Sequence, residues 1–217
     1  MRHRPEPVPP LTSPELYLAS RSPRRAAYLA QLGLRYAVLS ADIAEQPLPG
    51  QSPQEYALRI AVEKARAAAA LAPLALPVLG ADTDVAIDGE ILGKPRDRDD
   101  AIAMLLRLSG RVHEVCSAVA IVHGARVETA LTTTRVQFGA VNADEAAAYW
   151  ASGEPCDKAG AYAIQGLGGR WIVAIDGSYS GVVGLPLHET VGLLQRFGLA
   201  ARMGTPAAPS PPDTARA

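Results

Sequence analysis

Several features that would indicate common classes of protein are missing from this chain of 217 residues. Its formal net charge is only −1, so no basic field would attract it to DNA, RNA or an anionic membrane. The two cysteines, Cys116 and Cys156, have neither CxxC nor metal-ligand spacing. We therefore expect reduced thiols in a cytoplasmic protein rather than a disulfide scaffold.

Long hydrophobic runs are also absent. The longest apolar stretch, around residues 67–79, contains two prolines and is shorter than the ~20 residues that span a bilayer. Residues 1–14 lack the apolar segment of a signal peptide and are predicted to form a disordered leader. Residues 201–217, rich in Pro, Ala, Ser and Thr, are predicted to form a disordered tail. Residues 15–200 remain as the folded domain, with no membrane span.

The composition is 48% hydrophobic, which is enough for a core, and the first part of the chain alternates strand and helix patterns. An apolar run over residues 16–19 and helical spacing over residues 24–32 flank a polar turn. Ser22 is placed to cap this helix, and Pro23 suits its first position. Residues 36–39 form the next predicted strand.

A capping-box pattern at Ser52 and Glu55 predicts a long helix that ends near residue 70. Its apolar spacing predicts a buried face, formed by Tyr56, Ile60, Ala67 and Leu71. The next strand, over residues 77–82, is expected to deliver Asp82 at its carboxyl end, where ligand sites collect in open α/β sheets.

Hairpin patterns follow. Asp88 and Gly89 form a two-residue turn signal between apolar segments. Further strands are predicted over residues 112–122, 126–137 and 171–175, and helices over residues 101–108, 142–151 and 188–197. Since strands alternate with helices early and pair as hairpins later, the order predicts an α/β fold with a mixed sheet flanked by helices.

Residues 20–25 concentrate groups that bind anions. Two serines, three arginines and the free N–H groups of a helix N-terminus lie within this stretch. Ser20, Arg24 and Arg25 are the candidates for phosphate contacts. The same residues also fit an ordinary capped helix with solvated arginines, and the local pattern alone does not decide between the two.

Carboxylates and lysines supply the other requirements of triphosphate chemistry. Mg²⁺ is usually held by one or two carboxylates together with substrate phosphates, and Glu45 and Asp82 fit that description. Asp82 stands out because it follows an apolar strand, where a charge needs a partner. Lys64 and Lys94 could neutralise phosphate oxygens, although lone lysines are usually surface groups.

Three other residues that could carry chemistry have weaker functional signals. Gln165 carries an amide that can donate and accept at a base edge, but a Gly-rich loop between elements is the better explanation of its segment in isolation. His113 lies in an apparent strand without a nucleophile pattern and is interpreted as structural. Cys156 follows a proline in a polar segment and is expected to be exposed, without a general base for thiol catalysis.

Seven segments, in this order, resemble the signatures of the Maf family and together cover roughly residues 16–198. They are residues 18–25 (LASRSPRR), 63–65 (EKA), 80–83 (GADT), 93–95 (GKP), 108–110 (LSG), 157–162 (DKAGAY) and 177–186 (GSYSGVVGLP). The resemblance implies an elongated α/β fold with two lobes and a central cleft, similar to inosine triphosphate pyrophosphatases. It also implies hydrolysis of nucleoside triphosphates between the α and β phosphates.

The same resemblance assigns roles to individual residues. Asp82 matches the catalytic base, and Glu45 with Asp82 matches the site of a divalent cation, Mg²⁺ or Mn²⁺. The positions around the phosphates are matched by Ser20, Arg25, Lys64 and Lys94. The family positions that distinguish the dTTP/UTP subgroup are matched by Arg24, Thr83 and Gln165. A homodimer is expected from the resemblance alone.

Two positions depart from the family pattern. Asp84 stands where an apolar residue is usual, and Gly181 replaces a frequent asparagine. Modified pyrimidine nucleotides such as 5-methyl-UTP or pseudo-UTP are alternative substrates. A nucleotide-binding regulator of cell division or septum formation, without essential turnover, is the alternative from another class. A turnover assay would separate it from an enzyme.

Overall fold

The computed structural model describes residues 13–201. The strands are β1 Leu16–Leu18, β2 Tyr36–Val38, β3 Val78–Ile87, β4 Glu90–Ile91, β5 Val112–His123, β6 Arg126–Phe138 and β7 Ile172–Asp176. The helices are α1 Pro23–Gln31, α2 Pro53–Ala69, α3 Arg98–Leu108, α4 Ala143–Ala151, α5 Tyr179–Val183 and α6 Leu187–Arg196. The predicted leader and tail lie outside the described residues, apart from residues 13, 14 and 201. None of these helices combines the length and apolar character needed to cross a membrane.

The seven strands form one mixed sheet, as predicted. Its order is β2-β1-β3-β5-β6-β7, and β4 pairs with β3. The pairs β1–β2 and β1–β3 are parallel, because helices α1 and α2 return the chain to the same end of the sheet. The later pairs are antiparallel, and two of them, β3–β4 and β5–β6, are hairpins with two-residue turns.

The turn at Asp88 and Gly89 is confirmed, and both residues adopt positive φ angles, 56° and 77°. The predicted end of the preceding strand at Asp82 is wrong. Strand β3 continues to Ile87, because its pairing with β5 runs without interruption from Val78 to Ala86. Asp82 therefore lies in the middle of a strand rather than at its end.

Helix α2 packs closely on β3. A Cβ atom on Gly80 would overlap the carbonyl oxygen of Ala61, so only glycine permits this approach. The predicted buried face is partly wrong, because Leu71 lies beyond the helix end and is 60% exposed. The residues of α2 that are buried are Pro53, Tyr56, Ala57, Ile60, Ala61, Ala65 and Ala68. Alanine, rather than leucine, therefore dominates the contact of α2 with the sheet.

Two hydrophobic cores meet along β3. Leu79 and Ala81 belong to a core with β1, α1 and α6. Val85 and Ile87 belong to another core with α3, α4 and four aromatic residues, which are Phe138, Tyr149, Tyr162 and Trp171. Between them, residues 80–84 have a paired strand on one side only in the described part of the chain. This gap in the sheet separates two lobes, as the resemblance implied.

Two features of the region after α4 were absent from the sequence prediction. Three short 3₁₀ turns, Glu154–Asp157, Ala159–Ala161 and Leu167–Trp171, replace a plain Gly-rich loop. Helix α5 is also new; Ser178 caps it by accepting a hydrogen bond from Gly181 N. Its single turn is too short to show a helical period, so no pattern in the sequence reveals it.

Candidate active site

The gap in the sheet opens into a cleft of about 820 Å³. All nine residues that the sequence singled out as site candidates line it: Ser20, Arg24, Arg25, Glu45, Lys64, Asp82, Thr83, Lys94 and Gln165. They come from β1, α1, α2, β3 and several loops. The fold therefore collects in one cavity residues that are far apart along the chain.

Lys64 forms the centre of one wall. Its Nζ donates to Asp82 Oδ1 at 2.7 Å and to Glu45 Oε2 at 2.9 Å. The side chain of Asp82 is 7% exposed and that of Glu45 is 40% exposed, so this contact connects the floor of the cleft with its rim. Removing the charge of Lys64 would leave the buried carboxylate of Asp82 poorly compensated, whereas Lys64 would keep Glu45 as a partner if Asp82 were neutralised.

Asp84 lies beside Asp82 on the same face of β3, because side chains two residues apart along a strand point in the same direction. Asp84 is only 7% exposed and also lines the cleft. The Oδ2 atoms of both aspartates are buried and have no hydrogen-bond partner among residues 13–201. Burial, followed by the negative charge of Asp82, raises the pKa of Asp84 well above its ordinary value. Its position in the site was not predicted, although the alternation of a strand could have indicated it.

Arg25 forms the opposite wall. Its guanidinium donates to Gly184 O at 2.8 Å, to Ser20 Oγ at 3.2 Å and to Thr83 Oγ1 at 3.4 Å. Thr83 Oγ1 also lies 3.0 Å from Ser117 Oγ on β5. Burial lowers the pKa of Arg25, and the charge of Asp82 opposes that effect. The result is a fixed cation that faces the carboxylates across the cleft.

The N-terminus of α1 differs from the prediction in one respect. Ser22 occupies the N-cap position, but its side chain makes no capping hydrogen bond. Its backbone N–H instead donates to Ser20 Oγ at 3.2 Å. Arg24 is half-buried and donates from Nε to Val183 O at 3.2 Å. The end of α5, which no pattern predicted, therefore orients both Arg24 and Arg25.

Two predicted residues lie at the rim and are exposed. Lys94 follows Gly93, whose carbonyl accepts a hydrogen bond of 2.8 Å from Gly160 N. Gln165 lies between two 3₁₀ turns. Glu154 stabilises the segment around Gln165 by accepting from Tyr149 Oη at 2.6 Å, from Leu167 N at 2.9 Å and from Gly168 N at 3.1 Å. Sequence reasoning missed this anchor.

Residues predicted to have no catalytic role lie apart from the cleft. His113 is buried and forms a hydrogen bond of 2.7 Å with Tyr162 Oη, and burial lowers its pKa to about 4. This buried position agrees with the interpretation of His113 as a structural residue. Cys156 is exposed, as expected, and Cys116 is buried; both are free thiols.

The donor set suits a hard divalent cation. Two buried carboxylate oxygens without partners, on Asp82 and Asp84, are the kind of ligand that Mg²⁺ and Mn²⁺ accept. Within residues 13–201, no group of three or more His, Cys, Asp or Glu side chains is arranged to hold a metal. Mg²⁺ usually takes only one or two carboxylates and completes its shell with phosphates and water, so a carboxylate pair is sufficient.

Fold and site together define an α/β protein whose interlobe cleft combines buried carboxylates with fixed cations. A similar fold occurs in the Ham1 protein of Staphylococcus aureus, with a TM-score of 0.50 and 16% sequence identity, covering 84% of this chain and 96% of that one. Residues 15–197 match the family described as Maf-like protein. The chain belongs to the Maf family.

Several similar proteins carry the name dTTP/UTP pyrophosphatase. The protein from Myxococcus xanthus is 54% identical over 184 residues, which is 85% of this chain and 93% of that protein. The protein from Saccharophagus degradans is 52% identical over 188 residues, which is 85% of this chain and 90% of that protein. The protein from Escherichia coli O157:H7 is 52% identical over 182 residues, covering 84% and 92% respectively.

Proposed function

We propose that this protein hydrolyses dTTP and UTP to the nucleoside monophosphate and pyrophosphate. The observation that carries the proposal is the buried carboxylate of Asp82, held by Lys64 at 2.7 Å on the floor of the cleft and faced by Arg25. An acid–base group near fixed cations is what cleavage of a phosphoanhydride needs. The names of the relatives, which share about half of their residues with this chain, support the choice of substrate.

In the proposed reaction, a water molecule attacks the α-phosphorus. The new bond joins the water oxygen to phosphorus, the bond to the bridging oxygen of the β-phosphate breaks, and the water's proton passes to Asp82. Negative charge grows on the departing pyrophosphate. Arg25 and Lys64 stabilise that charge, because hydrogen bonds hold them in position before the reaction begins, and Lys94 adds a positive charge at the rim.

We also propose that the site uses Mg²⁺ or Mn²⁺. Asp82 would hold it, with Glu45 at the rim as a further carboxylate. When bound, such a cation neutralises phosphate charge and lowers the pKa of water. The ammonium of Lys64 lies between Glu45 and Asp82 and compensates both carboxylates.

Selectivity for thymine or uracil is proposed to depend on Arg24, Thr83 and Gln165. Of these, Gln165 is the most exposed to an incoming base, and its amide can both donate and accept. Thr83 acts indirectly, because its hydroxyl already contacts Arg25 and Ser117. Modified pyrimidine nucleotides fit the same description and belong in the substrate panel.

The test is a panel of nucleoside triphosphates with Mg²⁺ or Mn²⁺, in which pyrophosphate and orthophosphate are measured separately. We expect pyrophosphate with UMP or dTMP; orthophosphate as the primary product would reject the reaction. Asp82→Asn keeps the shape but removes the charge, so kcat should fall at least ~10²-fold while the protein stays folded. Asp88→Asn, in the exposed turn that follows β3, is the matched control.

A nucleotide-binding regulator would give a different result in the same panel. It would bind dTTP or UTP without producing pyrophosphate, and Asp82→Asn would change nothing but affinity. A cytoplasmic location, suggested by the free thiols, and a homodimer, suggested by the resemblance, stay predictions. Light scattering during gel filtration would test the dimer.

A further inference from the structure

We infer that Asp84 is a second protein ligand, beside Asp82, for the divalent cation of this site. The inference rests on the proposed function, because it assigns a residue to the cation that the reaction would use. It gives a role to a buried carboxylate that lines the cleft.

The geometry of β3 supports this assignment. Asp82 and Asp84 are two residues apart on one strand, so their side chains share a face. That face is covered by α2, and the cleft reaches both residues. Each aspartate is more than nine-tenths buried, with exposures of 5% and 7%.

The carboxylate oxygens of Asp82 and Asp84 differ in whether they have a hydrogen-bond partner. Asp82 accepts a hydrogen bond from Lys64 through Oδ1, but its Oδ2 has no partner among the described residues. Asp84 Oδ2 is equally buried and equally unpartnered within residues 13–201. A buried carboxylate oxygen without a partner is unfavourable. A divalent cation held by the two carboxylates would compensate both.

The alternative is that Asp84 is a neutral acid that donates a hydrogen bond to Asp82. Asn at position 84 could make that same donation through its amide, but it would contribute a much weaker cation ligand. Asp84→Asn therefore separates the two explanations. Because Asn has nearly the same volume, and because the variant relieves repulsion between two buried carboxylates, the metal-free protein should remain folded.

The experiment is a titration of nucleotide-free protein with Mn²⁺, with free Mn²⁺ measured by electron paramagnetic resonance. We expect the Kd for Mn²⁺ to rise at least ~10-fold in Asp84→Asn and in Asp82→Asn, and to stay unchanged in Asp88→Asn. The gain in Tm on adding Mn²⁺ should shrink in parallel for the first two variants.

Two results would overturn the inference: an Asp84→Asn variant with the parent's Kd for Mn²⁺, or a parent protein that binds no Mn²⁺. Neither depends on turnover. A protein that binds Mn²⁺ through both aspartates but releases orthophosphate would instead refute the proposed reaction and leave the ligand assignment standing.

Discussion

Gly80 offers a test of how the packing of α2 controls the site. A Cβ atom at this position would overlap Ala61 O, and it would lie 2.8 Å from Ala65 N and 3.0 Å from Ala65 Cβ. Two of these atoms belong to the helix backbone and cannot rotate away. Gly80→Ala should therefore push α2 outward rather than be absorbed by a side-chain movement.

The expected loss of stability follows from this overlap. Overpacking of a close contact costs roughly 1–3 kcal/mol, which corresponds to a decrease in Tm of roughly 2–12 °C for a domain of this size. Lys64 moves with α2, so its 2.7 Å hydrogen bond to Asp82 should lengthen or break. A misplacement of about 1 Å can lower activity up to ~10²-fold, and we expect kcat/KM to fall by roughly 10–100-fold.

Gly192 provides the matched control. It lies within α6, and a Cβ atom there would meet nothing within 4 Å. Gly192→Ala should raise stability by roughly 0.5–1 kcal/mol through helix propensity and leave kcat/KM unchanged. Thermal melting and steady-state kinetics of both variants test the reasoning. If Gly80→Ala melts at or above the parent's Tm, the close approach of α2 is not what constrains this site.

Three further predictions concern specificity and stability. Replacing Arg24, Thr83 and Gln165 together should reduce kcat/KM for UTP relative to GTP; an unchanged substrate ranking would remove the assignment. Glu154→Gln weakens the anchor of the segment around Gln165, so KM for UTP should rise more than kcat falls, and the reverse pattern would contradict this role. His113 has a folded pKa of about 4, below its ordinary 6.5, so the unfolded state binds more protons between these values and the free energy of unfolding decreases as the pH is lowered. Between pH 6.5 and about 4, urea unfolding should show a loss of at most roughly 1.4 kcal/mol per pH unit, absent in His113→Gln; parallel profiles would refute it.

Features set by near neighbours in the sequence were predictable. The capping box at Ser52 is confirmed, because it needs only a partner three residues away. The turn at Asp88 and Gly89 is confirmed for the same reason. The long strands β5 and β6 were also predicted to within a residue or two, since their apolar runs are bounded by turns.

Features set by distant contacts were not predictable from local pattern. The continuation of β3 past Asp82 depends on pairing with β5, some thirty residues later in the chain. The exposure of Leu71 depends on where α2 leaves the sheet. Of the candidate site, the resemblance supplied the residues, whereas the hydrogen bonds of Arg24 and Arg25 to the end of α5 could be seen only in the folded chain.

The small side chains under α2 explain why a lysine on a helix can reach an aspartate in the middle of a strand. Ala57 and Ala61 pack on Cys116, Ala118 and Ala120 of β5. Larger residues at these positions would raise α2 from the sheet and carry Lys64 away from Asp82. The low aromatic content, 5% of the chain, is consistent with such thin packing between helix and sheet. These alanines therefore help to set how near the ammonium of Lys64 lies to the carboxylates.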